Sequence, residues 1–190
     1  MILGISSLIA GSLWMSLLGC QFLFSQISGY VQSYYKIPQH YTWLVRPISV
    51  SAAMPFTIIG SHLAQNHMNP RLQLGIAALI NIGGMLLSSI TSNYALFVFL
   101  YPSLSGIAGG LTYVVPMNIG WQYFPGREGL ITGLVDTSYG LGAALYGTVF
   151  NKLLNPNHEE MQKNAEYPYS DDVASNLPGA IRTLAYIWTG

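Results

Sequence analysis

QLGIAALINIGGMLLSSITSNYALFVFLYPSLSGIAGGLTYVVPMNIGWQYFPG, Gln73–Gly126, contains no Asp, Glu, Lys, Arg or His. An α-helix rises 1.5 Å per residue, so about 20 apolar residues cross a hydrocarbon core about 30 Å thick. The stretch holds two such lengths, divided by the short polar turn Thr91-Ser92-Asn93. It therefore reads as two membrane-spanning helices joined tightly. A transmembrane β-barrel would show alternation over about ten residues, whereas these apolar runs are continuous and twice as long.

The same reading extends in both directions. The expected spans are Leu3–Val31, Trp43–Ala64, Leu72–Ile90, Ala95–Trp121 and Gly129–Phe150. Tyr41 and Trp43 at the second entrance suit an interfacial belt. A polar loop, 151–176, follows with Glu159-Glu160 and Asp171-Asp172, and from Leu177 the chain turns apolar again, as a sixth span cut short at Gly190. The expected fold is all-α: a polytopic transmembrane helical bundle occupying residues 1–190.

Composition agrees. Only 7% of residues are charged and 51% are hydrophobic, against about 25% charged in a typical soluble domain. Mean hydropathy is +0.39. Seven of the fourteen charges crowd into Lys152–Asp172. The N-terminus lacks the basic region of a signal peptide, and its neutral stretch is too long for one, so it reads as a retained first span. The expected surroundings are the lipid bilayer, in a membrane that the sequence does not name.

Several function classes fall away. Net charge is zero and no Lys/Arg cluster exists, which excludes the basic footprint of nucleic-acid binding. One cysteine, Cys20, supports neither a disulfide framework nor a thiolate metal site; inside an apolar run it reads as a small packing residue. His62 and His67 flank a turn with no acid nearby, so no metal site is expected. No nucleophilic triad, phosphate loop or dinucleotide fingerprint lies on a plausible element, and neither an enzyme nor a cofactor is expected. Arg71 and Arg127 would lie on one side, Lys36, Lys152 and Lys163 on the other, so charge does not fix the orientation.

The spans differ in their faces. On a helical wheel Gly129, Gly133, Gly140, Ala144 and Gly147 fall within about 60°, a strip of the kind that lets helices approach. Thr132, Asp136, Tyr139, Tyr146 and Phe150 form a neighbouring stripe. The fourth span has a Gly106-x-x-x-Gly110 pair continued by Tyr113 and Met117, with Pro102 and Pro116 each removing a backbone donor. Gln21, Ser25, Ser28 and Gln32 share a face of the first span. Asp136, about seven residues inside a span, is costly there and marks a bundle interior or a cavity. Arg46, three residues inside its span, is read as snorkelling to the interface.

Gly106–Gly142, GIAGGLTYVVPMNIGWQYFPGREGLITGLVDTSYGLG, resembles the oxalate/formate antiporter and monocarboxylate-transporter-like branch of the major facilitator superfamily. Tyr113, Pro116, Phe124-Pro125, Arg127, Gly129, Gly133 and Gly140-Leu141-Gly142 stand in the order of that branch. The turn from Gly60 to Arg71 is similar to the superfamily's Gly-x-x-x-Asp-Arg-x-Gly-Arg loop in a degenerate form, with Gln65 where the acid is expected. The arginine of proton-coupled drug antiporters is missing from the fourth span, and the Gly-Pro of the antiporter motif from the fifth.

The resemblance implies the N-terminal six-helix half of a twelve-helix fold, built from inverted repeats with the solute at the midplane. It places the N-terminus and the Arg71 and Arg127 loops in the cytoplasm, and the 151–176 loop outside. The implied activity is alternating-access transport, by symport or antiport, of a small carboxylate-like organic anion. The implied partner is the missing C-terminal half or a separate chain. Gln21, Tyr113, Met117, Asp136 and Tyr139 are the expected solute-facing residues. Asp136 would repel an anion unless protonated, which makes it the candidate carrier of a coupled proton. Gly106, Gly110, Gly129, Gly133, Gly140, Gly142, Arg71 and Arg127 are expected to serve packing and conformational change. The alternative is a transport-inactive structural subunit of a larger membrane complex, derived from a transporter.

Overall fold

The computed structural model describes residues 2–66, 68–162 and 165–189, except the side chains of Gln21, Phe22, Phe24 and Ser25. The expectations for Gln21, Ser25, His67 and Lys163 side chains thus lie outside the described residues. All regular structure within them is helical.

The first rod runs through α1 (Ile2–Leu18), a 3-10 stretch (Gly19–Leu23) and α2 (Phe24–Tyr35). Lys36 closes it in the left-handed region at φ 53°, its N–H donating to the Gln32 carbonyl. A short α3 (Gln39–Thr42) leads into α4 (Val45–Gln65), and α5 (Pro70–Ser88) follows. Asn69 starts α5 because its side chain accepts the Arg71 N–H at 3.0 Å, while Pro70 takes a first-turn position where no backbone donor is needed. Asn93 does the same for α6 (Tyr94–Val98), accepting from Leu96 N at 3.1 Å.

From α6 the chain passes through a π-helical turn (Phe99–Ser103) into α7 (Leu104–Thr112) and α8 (Val115–Tyr123). Both interruptions trace to proline. Pro102 cannot donate to the Val98 carbonyl four residues back, and the Ser103 hydroxyl donates to that carbonyl instead, at 3.0 Å. Pro116 similarly releases the Thr112 carbonyl and opens the break at Tyr113–Val114. After a turn at Gly126, whose φ of +79° suits only glycine without strain, come α9 (Glu128–Leu154), α10 (Asp171–Ala174) and α11 (Leu177–Ile187).

Among the described residues, three helical stretches are long and apolar enough to cross a membrane: Gln39–Gln65, Pro70–Ser88 and Tyr94–Tyr123. That count is below the five complete spans expected. The regular part of the first rod, Ile2–Leu18, is apolar but shorter. Helix α9 has 27 residues, yet Asp136 and the hydroxyls of Thr132, Thr137, Ser138 and Thr148 make it less apolar.

Close backbone contacts hold the bundle. On α7, a Cβ added at Gly106 would overlap the Ser49 carbonyl of α4, and one at Gly110 the Ala53 carbonyl. Gly60 of α4 meets the Leu111 carbonyl in return. A second such seam joins the first rod to α9: Gly142 lies against the Ser16 carbonyl and Gly19 against the Tyr139 carbonyl. In contrast, Gly129, Gly133 and Gly140 have no atom within 4 Å of where a Cβ would sit. The strip read from the wheel is therefore not, at those three positions, a helix contact. Ile131, Val135 and Gly142, on the opposite face of α9, are buried instead.

The core gathers Met15, Leu18, Ile27, Phe97, Phe150 and Leu184, all fully buried, while Leu79, Ile58, Leu145 and Phe99 point outward. An outer surface this apolar belongs against lipid or other apolar chains. Polar side chains inside act as ties between helices. The Gln73 amide on α5 donates to the Gly60 carbonyl at 2.9 Å and the Leu111 carbonyl at 2.7 Å, linking α4 and α7. Gln73→Leu is expected to cost about 1 kcal/mol, the usual scale for an interhelical hydrogen bond. Reversible unfolding in mixed micelles checks it; an unchanged midpoint would mean that this tie contributes nothing.

At one end of the bundle the loop before α10 is strapped to α2. Tyr169 stacks on Tyr30 with centroids 4.1 Å apart, its N–H donates to Ser33 Oγ at 3.0 Å, and Lys36 pairs with Asp171. Exposed ion pairs contribute little, so stacking should dominate. Tyr169→Ala is expected to make the 155–170 segment several-fold more sensitive to limited proteolysis, whereas Lys36→Ala leaves the cleavage rate nearly unchanged.

Candidate solute path

The proline-induced break between α7 and α8 sets Tyr113 opposite the middle of α9. Its hydroxyl donates to Asp136 Oδ1 at 3.0 Å. Tyr139, one turn further along α9, meets the Tyr113 ring edge to face at 6.4 Å. The Arg46 side chain of α4 hydrogen-bonds the Tyr139 phenol. Asp136, two phenols in ring contact and a guanidinium thus stand in series, drawing on α4, the α7–α8 junction and α9.

Asp136 is exposed, and Tyr113 and Tyr139 are half-buried. Toward the start of α9 the polar strip continues. The Trp121 indole N–H donates to Thr132 Oγ1 at 3.1 Å and to the Glu128 carbonyl at 3.2 Å. Glu128 itself fixes the preceding turn by accepting the Gly126 N–H at 2.8 Å. Its own backbone N–H and that of Gly126 hold its carboxyl below the usual carboxylate range. A carboxylate and an unbroken polar strip on the face of an apolar bundle are incompatible with lipid contact. That face needs water, a solute path or another protein segment against it.

Of the residues singled out from sequence, the structure brings together Tyr113, Asp136 and Tyr139. Met117, expected on the same path, is buried in the core. Arg71 and Arg127 are exposed, and Arg71 sits on the rim of an open cleft of about 550 Å³ between α1, α5 and α8. Trp14 lines that cleft, its indole N–H donating to Thr112 Oγ1 at 3.2 Å.

Arg46 corrects the sequence reading. It points into the bundle, where it lines a small interior cavity with Ser49, Asn81, Ser105 and Trp188. The signal was available: Arg46 precedes Ser49 by three residues and Ala53 by seven, so all three share the face of α4 that meets Gly106 and Gly110.

No family model matches the chain, and no solved structure matches it. Over 90 residues it is 31% identical to apicoplast pyruvate carrier 1 of Toxoplasma gondii, a region covering 44% of this chain and 16% of the carrier. Over 72 residues it is 35% identical to monocarboxylate transporter 9 of Rattus norvegicus, covering 38% of this chain and 14% of the transporter. The Mus musculus protein of the same name gives the same identity and coverage. The chain is therefore similar, over less than half its length, to carboxylate-transporter-like proteins, and the matched region spans only a small fraction of them.

Proposed function

We propose that this chain is the N-terminal transmembrane half of a major-facilitator-type carrier that moves a small monocarboxylate by alternating access. The polar series Asp136–Tyr113–Tyr139 on an open face of an apolar bundle carries the reading. Such a face is useful only against an aqueous path or a second set of helices, and a carrier formed from two halves supplies both. The partial similarity to a pyruvate carrier and to monocarboxylate transporters supports the solute class. Phenol hydroxyls can donate to a carboxylate, and the rings give its hydrocarbon tail an apolar wall.

The test uses the protein extracted from its own membrane together with whatever chain accompanies it. Reconstituted vesicles are loaded with unlabelled pyruvate and offered labelled pyruvate outside. Saturable uptake, accelerated several-fold by the internal load, is expected, because alternating access returns the site faster when it is occupied. Absence of saturable uptake from a protein that co-purifies at fixed stoichiometry with other membrane subunits would overturn the reading and leave the structural-subunit alternative.

A further inference from the structure

We infer that the open cleft between α1, α5 and α8 is a binding site for one anionic phospholipid, with its phosphate on Arg71 and an acyl chain along the groove. The inference needs only the membrane setting and is independent of the solute path on α9.

The cleft is graded in polarity along its length. Arg71, in the first turn of α5, and Ser6 and Ser7, in the second turn of α1, line one end. Helix ends with such side chains belong at the level of the lipid headgroups. Trp14 is the deepest α1 residue of the wall, eight residues beyond Ser6 and so about 12 Å further in at 1.5 Å per residue. Between the two ends the wall is Ala10, Leu74, Val115 and Ile119. The floor is the α1–α8 contact, where a Cβ added at Gly11 would stand 2.9 Å from the Pro116 Cβ. A volume of about 550 Å³ is within the range of about 300–1,000 Å³ for small-molecule sites.

The cleft borders lipid rather than an aqueous path. Beside it, Ile5, Ile9 and Leu13 of α1 and Leu72, Ile76 and Leu79 of α5 are all exposed. Apolar faces of that kind on both flanks leave an acyl chain as the occupant that continues its surroundings.

Charge then selects among lipids. The Arg71 side chain makes no ion pair or hydrogen bond among the described residues, and the lining contains no Asp or Glu. A planar guanidinium binds a phosphate through two parallel hydrogen bonds. In phosphatidylglycerol the phosphate charge is uncompensated, whereas in phosphatidylcholine the quaternary ammonium cancels it. One basic residue at the membrane surface favours the anionic lipid about fivefold.

Tryptophan quenching by brominated acyl chains tests the site. The protein, with whatever chain accompanies it, is reconstituted in phosphatidylcholine vesicles containing a small fraction of brominated phosphatidylglycerol or, in parallel, brominated phosphatidylcholine. The quenching lost in Trp14→Phe is the signal from the cleft. That signal is expected to show about fivefold preference for phosphatidylglycerol. Arg71→Gln, at an exposed position, should abolish the preference and leave quenching by phosphatidylcholine unchanged. Ala10→Phe, which fills the groove between the headgroup level and Trp14, should reduce quenching by both lipids. The Arg71→Gln comparison uses total fluorescence and stands even if Trp14→Phe does not fold. Equal quenching by the two lipids in wild type, or a preference retained in Arg71→Gln, would overturn the site. So would displacement of the brominated lipid by glycerol phosphate, which would mark a site for a free phosphate ester. Absence of Trp14 quenching by either lipid would mean that another protein segment fills the cleft, and would equally overturn the inference.

Discussion

Gly142→Val is expected to abolish the folded protein, while Gly140→Val, two residues away, is expected to be silent. At Gly142 the obstacle is the Ser16 carbonyl, a backbone group that cannot rotate aside. Any β-carbon there forces α9 away from α1 along the whole seam, where Gly19 is equally tight against Tyr139. Overpacking a core usually costs about 1–3 kcal/mol when side chains can adjust. Parting two backbones at two glycine contacts exceeds that and consumes much of a typical stability of about 5–15 kcal/mol. Gly140 faces open space, so valine meets nothing and the change should stay within about 0.5 kcal/mol. Size-exclusion profiles and thermal melts in detergent distinguish the pair. A Gly142→Val protein that elutes and melts like wild type would mean that the first rod and α9 do not meet as described.

This pair also shows what the sequence could and could not disclose. A helical wheel collects Gly129, Gly133 and Gly140 on one face from spacing alone, but which face acquires a neighbour is a long-range outcome. Over its first four turns helix α9 turns Ile131, Val135 and Gly142 inward, and of the wheel's strip only Gly147, near the far end against the Gln26 side chain, is buried. The apolar runs were legible because a helix in lipid needs its length and composition in one continuous segment. The π-helical turn was foreshadowed by Pro102. Nothing comparable marks the 3-10 stretch at Gly19–Leu23, where the reason for Gly19 is the Tyr139 carbonyl more than a hundred residues away.

The site divides in the same way. Asp136 stands out because a carboxylate inside an apolar run has few tolerable environments; Tyr139 shares its stripe, whereas Tyr113 is reached separately, along the line of Gly106 and Gly110. Arg46 was misread because a cation close to a span end can reach water by its own length. Only its register with Ser49 and Ala53 told that it turned inward. Cation and carboxylate therefore sit at opposite ends of one polar series, with two phenols between them.

That arrangement makes Asp136→Asn the decisive transport variant. The amide keeps the acid's size and can still accept from the Tyr113 hydroxyl, but it cannot carry a proton. Among the described residues the group that meets Asp136 is Tyr113 from the α7–α8 junction, whose ring packs on Tyr139, and Tyr139 in turn meets Arg46 of α4. If the carboxylate must be neutral when a monocarboxylate passes, wild-type vesicles should concentrate pyruvate when the outside is more acidic than the inside. With one proton per solute, a difference of one pH unit sustains about tenfold accumulation. Asp136→Asn vesicles should exchange labelled for unlabelled pyruvate at least as fast as wild type, without dependence on pH, and should reach only equal concentrations on the two sides. Tyr113→Phe, which removes the donor and keeps the ring, should retain accumulation at a reduced rate. An Asp136→Asn protein that still concentrates pyruvate about tenfold would remove the proton from Asp136 and place coupling elsewhere in the carrier.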